Sequence, residues 1–207
     1  VYLSLSFLIN EYWHFLLLII FAATAVGFFA GLFGIGGGLI SVPCLFFIFE
    51  TLNFDKDYLM HLTVGTAFTI TIFTSTVSVI THNKNKLVDF SIVKTFGVFV
   101  VLGVLVGTVF ASFMKTKMLV LFFSVVVYFF GAYLMMAQER VKKLKPNSSI
   151  TPRVILGIFS GFVSAPMGIT GAMMNVPMLR YLGYPISKCI GSAAAIGFFI
   201  SFTGSVG

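Results

Sequence analysis

Six long stretches of this 207-residue chain contain no Asp, Glu, Lys or Arg. They run over residues 12–49, 58–83, 95–114, 118–138, 154–179 and 189–207. A helix that crosses a bilayer needs about 20 apolar residues. Only 9% of the residues are charged and 58% are hydrophobic, whereas a soluble domain has about 25% charged residues. The sequence therefore predicts an all-α integral membrane protein and excludes a secreted enzyme, a disordered regulator and a free nucleic-acid binder.

The first stretch, residues 12–49, is too long for one span. Its 38 residues would form a helix of about 57 Å, against a bilayer core of about 30 Å. We therefore expect a helical hairpin that bends at residues 34–38, which read GIGGG. The stretch 154–179 carries a similar interruption at residues 166–171, which read PMGITG.

Three short motifs recur in the same order along the chain. Residues 27–31 (GFFAG) match 157–161 (GIFSG), Val42-Pro43 matches Val176-Pro177, and 65–67 (GTA) match 191–193 (GSA). Internal repeats are typical of transporters. The sequence therefore predicts a first repeat at 1–138, a cytoplasmic linker at 139–153 and an incomplete second repeat at 154–207.

The number of crossings predicts how the two repeats are related. Between the hairpins lie three single spans, 58–83, 95–114 and 118–138, and an odd number of crossings inverts the second repeat. This topology puts ten of the 13 basic residues on the cytoplasmic side, as the positive-inside rule requires. By the repeat alignment, residue 207 corresponds to Thr81. We therefore expect the sequence to be a fragment of a protein with roughly two more spans.

The two glycine-rich turns are the candidates for chemistry. A helix that starts inside a membrane exposes unpaired backbone N–H groups and the positive end of its dipole, and glycine lets an anion approach them. We also assign to the site the hydroxyls of Thr66 and Ser192, which follow the repeated glycines 65 and 191 and could donate to an anion. These hydroxyls could instead bond to their own helix or to a neighbouring helix. The predicted substrate-binding residues are Gly36, Gly37, Gly38, Thr66, Gly168, Thr170, Gly171 and Ser192. The glycine pairs 27/31, 103/107 and 157/161 are predicted to serve helix packing.

No Asp, Glu, Lys or Arg falls in the predicted membrane interior, which argues against a relay of buried carboxylates. The sequence contains no Ser/His/Asp arrangement and no metal-type Cys spacing, so we expect no catalytic residue, metal or cofactor. The net charge of +7 is assigned to membrane orientation. The expected partners are a small anionic substrate and the lipid bilayer, without nucleic acid, and a homo-oligomer is left open.

At these motifs the chain resembles the TauE/SafE sulfite exporter family of membrane transporters. The resemblance rests on the glycine turn that leads to Val42-Pro43, on Gly65-Thr66-Ala67, and on their echoes at 161–177 and 191–193. It implies a multispanning transporter with two inverted halves that moves sulfite, organosulfonates or other small anions. The chain departs from the pattern in its second turn, where Thr170 and Ala172 replace glycines.

We therefore expect a secondary transporter of a small, sulfur-containing anion, located in a bacterial inner membrane and working by alternating access. Two alternatives stay open. A passive anion channel would share the repeat and the polar lining, but its flux would not depend on a coupling gradient. In a non-transporting membrane scaffold, substitutions in the glycine turns would affect only folding or partner binding.

Overall fold

The computed structural model describes residues 37–136, 150–170 and 172–206, together with 13, 17, 20, 21 and 23–28. These residues contain helices and no strand, which confirms the all-α prediction. The helices are α1 (Gly38–Thr51), α2 (Leu59–Lys84), α3 (Phe90–Ser112), α4 (Thr116–Met136), α5 (Ile150–Met167), α6 (Ala172–Tyr181) and α7 (Ile186–Val206). Five of these are long and apolar enough to cross a membrane, namely α2, α3, α4, α5 and α7.

Four of the helices begin before the uncharged stretches that predicted them. The starts of α3, α4, α5 and α7 precede those stretches by two to five residues. Each helix therefore contains a basic residue near its start, respectively Lys94, Lys117, Arg153 and Lys188. Long basic side chains can bury their methylene stems while the charged group stays in water. A Lys or Arg at the membrane surface consequently does not end a helix.

Two helices are too short to cross a bilayer. α1 has 14 residues and α6 has 10, which correspond to about 21 and 15 Å. α6 follows α5 after a turn that begins at Gly168, and the two helices form a hairpin. The first arm of the hairpin predicted at 12–49 lies largely outside the described residues, and α1 forms its second arm.

Glycines form the contact between α3 and α5. Gly103 and Gly107 of α3 face Gly157 and Gly161 of α5 across this contact. A Cβ at Gly161 would overlap the carbonyl oxygen of Val100, and a Cβ at each of the other three would press on the facing helix. The predicted packing role of these two glycine pairs is confirmed. The two backbones touch because neither helix has a side chain there.

The two ends of the bundle differ in charge. Lys188 Nζ donates to the Lys86 carbonyl at 2.9 Å, and the Arg153 guanidinium carbon lies 5.9 Å from the Tyr184 ring centroid. Of the charged residues that the structure describes, this end, the basic end, holds six basic residues and one acid: Lys84, Lys86, Lys94, Arg153, Arg180, Lys188 and Asp89. The opposite end holds three described residues of each sign: Lys56, Lys115, Lys117, Glu50, Asp55 and Asp57.

α1 and α6 run towards different ends of the bundle. α1 ends at Thr51, before the loop in which the Asp57 carbonyl accepts a hydrogen bond from Thr116 Oγ1 at 2.7 Å, at the opposite end. α6 ends at Tyr181, three residues before Tyr184 at the basic end. Two short helices with opposed directions are compatible with inverted hairpins, and the repeat relation itself stays a prediction.

Candidate functional site

The start of α1 packs directly on the turn between α5 and α6. A Cβ placed on Gly38 would lie 2.7 Å from the Gly168 carbonyl oxygen and 2.9 Å from Ile169 Cα. Contacts this short require the absence of a side chain, and Gly38 is buried. The structure therefore brings together the two glycine-rich turns, which lie about 130 residues apart in sequence.

Gly168 shapes the second turn. Its φ of +64° lies in the left-handed region, which glycine adopts without the steric cost that a side chain adds. A Cβ there would also come within 3.1 Å of Val42 Cγ2 and 3.3 Å of Val64 Cα. Helices α1 and α2 therefore close on this turn from the first half of the chain, so residues of both halves surround it.

The first backbone amides of α1 have no acceptor among the described residues. Ile40 N and Ser41 N reach back to the Gly37 carbonyl at 3.3 and 2.9 Å, so the amides of Gly38 and Leu39 precede the first intrahelical bond. No side chain caps α1, and its first turn contains no acidic residue. The first turn of α6 also lacks an acidic residue. The positive dipole ends of both helices are therefore not neutralised by carboxylates in their first turns.

The side-chain position of Gly37 at this helix start is not in contact with any described residue. Among the described residues, no heavy atom lies within 4 Å of the position that a Gly37 Cβ would occupy. The backbone there is right-handed helical, with φ −60° and ψ −32°, so the conformation does not itself require glycine. The absence of a side chain at Gly37 leaves room for another group beside the first amides of α1.

The remaining residues predicted in the turns are placed as follows. Thr170 is buried, with 6% of its surface exposed, and its carbonyl accepts from Ala172 N at 3.0 Å. Gly36 and Gly171 lie outside the described residues. The described charged residues lie at the two ends of the bundle, so this interior turn is surrounded by uncharged groups.

Thr66 is half-buried on α2, two residues beyond Val64. Its hydroxyl donates to the Leu62 carbonyl at 2.7 Å, which is a common use of Thr in helices. The proton of Thr66 is therefore engaged within its own helix, and a role in substrate binding stays a prediction.

Ser192 lies at the basic end rather than among the residues that contact the turn. Its Oγ accepts a hydrogen bond from Asp89 N at 3.0 Å, and a Cβ on the neighbouring Gly191 would meet the Leu87 carbonyl. Ser192 thus attaches the start of α3 to α7. Its role in substrate binding stays a prediction.

Ser192→Ala is expected to lower the free energy of unfolding by about 1 kcal/mol, because Asp89 N would lose its partner. Thermal unfolding of the purified protein measures this change, and unchanged stability would contradict the anchoring role. Anion affinity measured on the same sample tests the sequence prediction separately. A parallel loss of affinity would place Ser192 at the binding site, and an unchanged affinity would limit it to anchoring.

The second hairpin contains a buried polar pair that the sequence motifs did not predict. Ser160 Oγ of α5 donates to Asn175 Oδ1 of α6 at 2.6 Å, and both residues are 0% exposed. The residue before each repeated Val-Pro pair could have indicated this polar pair. Asn175 precedes Val176-Pro177 as Ser41 precedes Val42-Pro43, and Ser41 is buried as well.

Membrane-length helices combined with short helices that start in the interior define a class of protein, because broken helices of this kind form the substrate sites of membrane transporters. The chain is a multi-pass membrane transport protein. It belongs to the sulfite exporter TauE/SafE family, whose sequence model matches residues 19–207.

Three curated relatives support this assignment. A "probable membrane transporter protein" of Haemophilus influenzae is 30% identical over 92% of this chain and 72% of its own length. A protein of the same description from Methanocaldococcus jannaschii is 25% identical over 86% of this chain and 67% of its own. A probable membrane transporter protein from Bacillus subtilis is 24% identical over 93% of this chain and 77% of its own length. No solved structure gives a significant match to this chain.

Proposed function

We propose that this protein is a secondary transporter of a small oxyanion of the sulfite or organosulfonate class. The observation that carries the proposal is the contact of Gly38 with Gly168 and Ile169, which joins the uncapped start of α1 to the turn that precedes α6. Each helix start carries about half a positive elementary charge. Two such ends that converge on one point favour an anion without any cationic side chain.

The chemistry of the turns fits an oxyanion in particular. Several backbone N–H groups diverge from a helix start, and an oxyanion offers several oxygen acceptors to them. Uncharged donors are also suited to the membrane interior, where a fixed cationic side chain would be costly between transport cycles. The name of the family supports sulfite and related sulfur oxyanions as the first compounds to test.

Alternating access follows from the way the two halves meet. Gly38 and Val42 of α1 and Val64 of α2 contact the Gly168 turn of the second half. A rocking motion of one half against the other would separate these contacts and expose the turn to one side at a time. The basic end, which the positive-inside rule assigns to the cytoplasm, would attract anions to that side.

Ligand-dependent stability tests the anion site. At about 100 times its dissociation constant, a ligand that binds only the folded state adds about 2.7 kcal/mol. Sulfite, sulfonates or sulfate should therefore raise the unfolding temperature of the purified full-length protein, and neutral solutes of similar size should not. A well-folded sample that no oxyanion stabilises selectively would contradict the proposal.

Uptake into proteoliposomes separates a transporter from a passive channel. A secondary transporter should accumulate the labelled anion above its external concentration when a proton or sodium gradient is imposed. Collapsing the gradient with an ionophore should abolish the accumulation. If the anion enters only until its internal and external concentrations are equal, whichever ion gradient is imposed, the protein is a channel. The absence of both binding and flux would favour a scaffold.

A further inference from the structure

We propose that Asn175 donates its side-chain N–H to the transported anion. The inference rests on the proposed function and extends it, since it adds a side-chain donor to a site that is otherwise built from backbone amides. It also restricts the possible ligands to those that accept a hydrogen bond.

The first observation is a buried donor that has no partner among the described residues. Asn175 is 0% exposed, and its Nδ2 forms no hydrogen bond with any of them. Removing such a group from water without a compensating bond is normally unfavourable. Groups of this kind are rare in native structures, and each of them calls for a specific explanation. A bound substrate would supply the acceptor.

The second observation is that the amide is held in one orientation. Ser160 Oγ donates to Asn175 Oδ1 at 2.6 Å, which occupies the oxygen side of the amide. The nitrogen side is therefore the part of Asn175 left for a ligand. Because Nδ2 can only donate, the pair selects a hydrogen-bond acceptor.

The third observation is the position of Asn175 near the proposed site. Asn175 is the fourth residue of α6, so it lies about 4.5 Å along the helix axis from Ala172. Thr170, in the turn before this helix, is buried as well. The second hairpin therefore combines a helix start with a neutral side-chain donor one helical turn further on.

Asn175→Leu is the test, with ligand-dependent thermal stability as the measurement. Leu removes the Nδ2 group but also the acceptor of the Ser160 hydroxyl, which can bond instead to a carbonyl of its own helix. The stability of the unliganded variant should therefore stay within about 1 kcal/mol of the wild type. The dissociation constant of the variant for the oxyanion that stabilises the wild type should rise by about 10- to 100-fold, as expected for the loss of a hydrogen bond to a charged group. Asn85→Leu, an exposed residue at the basic end, is the matched control and should leave the affinity unchanged.

Asn175→Ser provides a second variant in case the Leu variant does not fold. Ser is the residue at the corresponding position before the first Val-Pro pair, at Ser41. It also removes the amide donor, and the affinity should again fall by about 10-fold or more.

The outcomes separate this inference from the proposed function. If the oxyanions stabilise the wild type but both Asn175 variants bind them with unchanged affinity, the inference is wrong and the proposed function stands. A variant that loses stability while its affinity is retained would assign Asn175 a purely structural role and overturn the inference. If no oxyanion stabilises the wild type, the proposed function fails, and the inference fails with it.

Discussion

Gly37→Val is expected to abolish oxyanion binding and flux while the protein still folds and inserts into the membrane. The described residues leave the space around a Gly37 Cβ empty within 4 Å, and the local backbone is right-handed helical, so the fold can accommodate the side chain. In the proposed site that space admits the anion, and the branched side chain would block its approach to the first amides of α1. The variant should lose the ligand-induced stabilisation of about 2.7 kcal/mol.

The matched control is Gly38→Ala, one residue further along α1. A Cβ at Gly38 would meet the Gly168 carbonyl oxygen at 2.7 Å, so this change should destabilise the unliganded protein by about 1–3 kcal/mol. Valine at Gly37 should change that stability by no more than about 1 kcal/mol, the size of an unfavourable N-cap. Thermal unfolding with and without oxyanion, together with flux into proteoliposomes, measures both variants. Wild-type flux in Gly37→Val would remove this turn from the transport site.

Gly161→Val should have the largest effect on folding, with a loss of about 3 kcal/mol or more, at the upper end of what overpacking costs. Even a Cβ at Gly161 would overlap the Val100 carbonyl oxygen and lie 2.7 Å from Val104 N. These are backbone atoms in the middle of a long helix, so they cannot rotate out of the way. Helices α3 and α5 would have to separate over their shared interface, and core contacts of Phe96 and Val100 would be lost with it.

Gly131→Ala on α4 is the control for the glycine substitution itself. No described heavy atom lies within 4 Å of its Cβ position, so the expected effect is neutral or stabilising by up to about 1 kcal/mol from helix propensity. Unfolding of both variants in the same detergent or lipid provides the comparison. Equal stabilities for the two would show that the contact between α3 and α5 does not limit the stability of the bundle.

The sequence was sufficient to predict the membrane class and the all-helical fold of the described residues. Both follow from hydropathy, because a lipid core demands long apolar helices whatever their arrangement. The starts of α3, α4, α5 and α7 differ from the predicted ones, because a charged residue does not mark the end of a helix. Lys94, Lys117, Arg153 and Lys188 lie within the first five residues of their helices, where a long side chain can reach the interface.

The candidate site could be predicted only where it depends on local backbone conformation. Glycine runs indicate tight turns, and Gly168 in such a run adopts a left-handed conformation. Ser192 illustrates the limit, because its repeat position suggested a site residue while its hydroxyl bonds to Asp89 N at 3.0 Å. Which group a hydroxyl meets depends on the packing of α7 against the start of α3, and no local pattern contains that information.

The sequence by itself determined that this chain crosses a membrane, where its helices break, and which short segments must be rich in glycine. These properties arise from hydrophobicity and backbone sterics, which act within a few neighbouring residues. Only the tertiary structure decided that Gly38 lies against Gly168, and that the Asn175 amide is buried with no partner for its nitrogen among the described residues. These properties depend on contacts between segments more than 100 residues apart or on the close packing of whole helices.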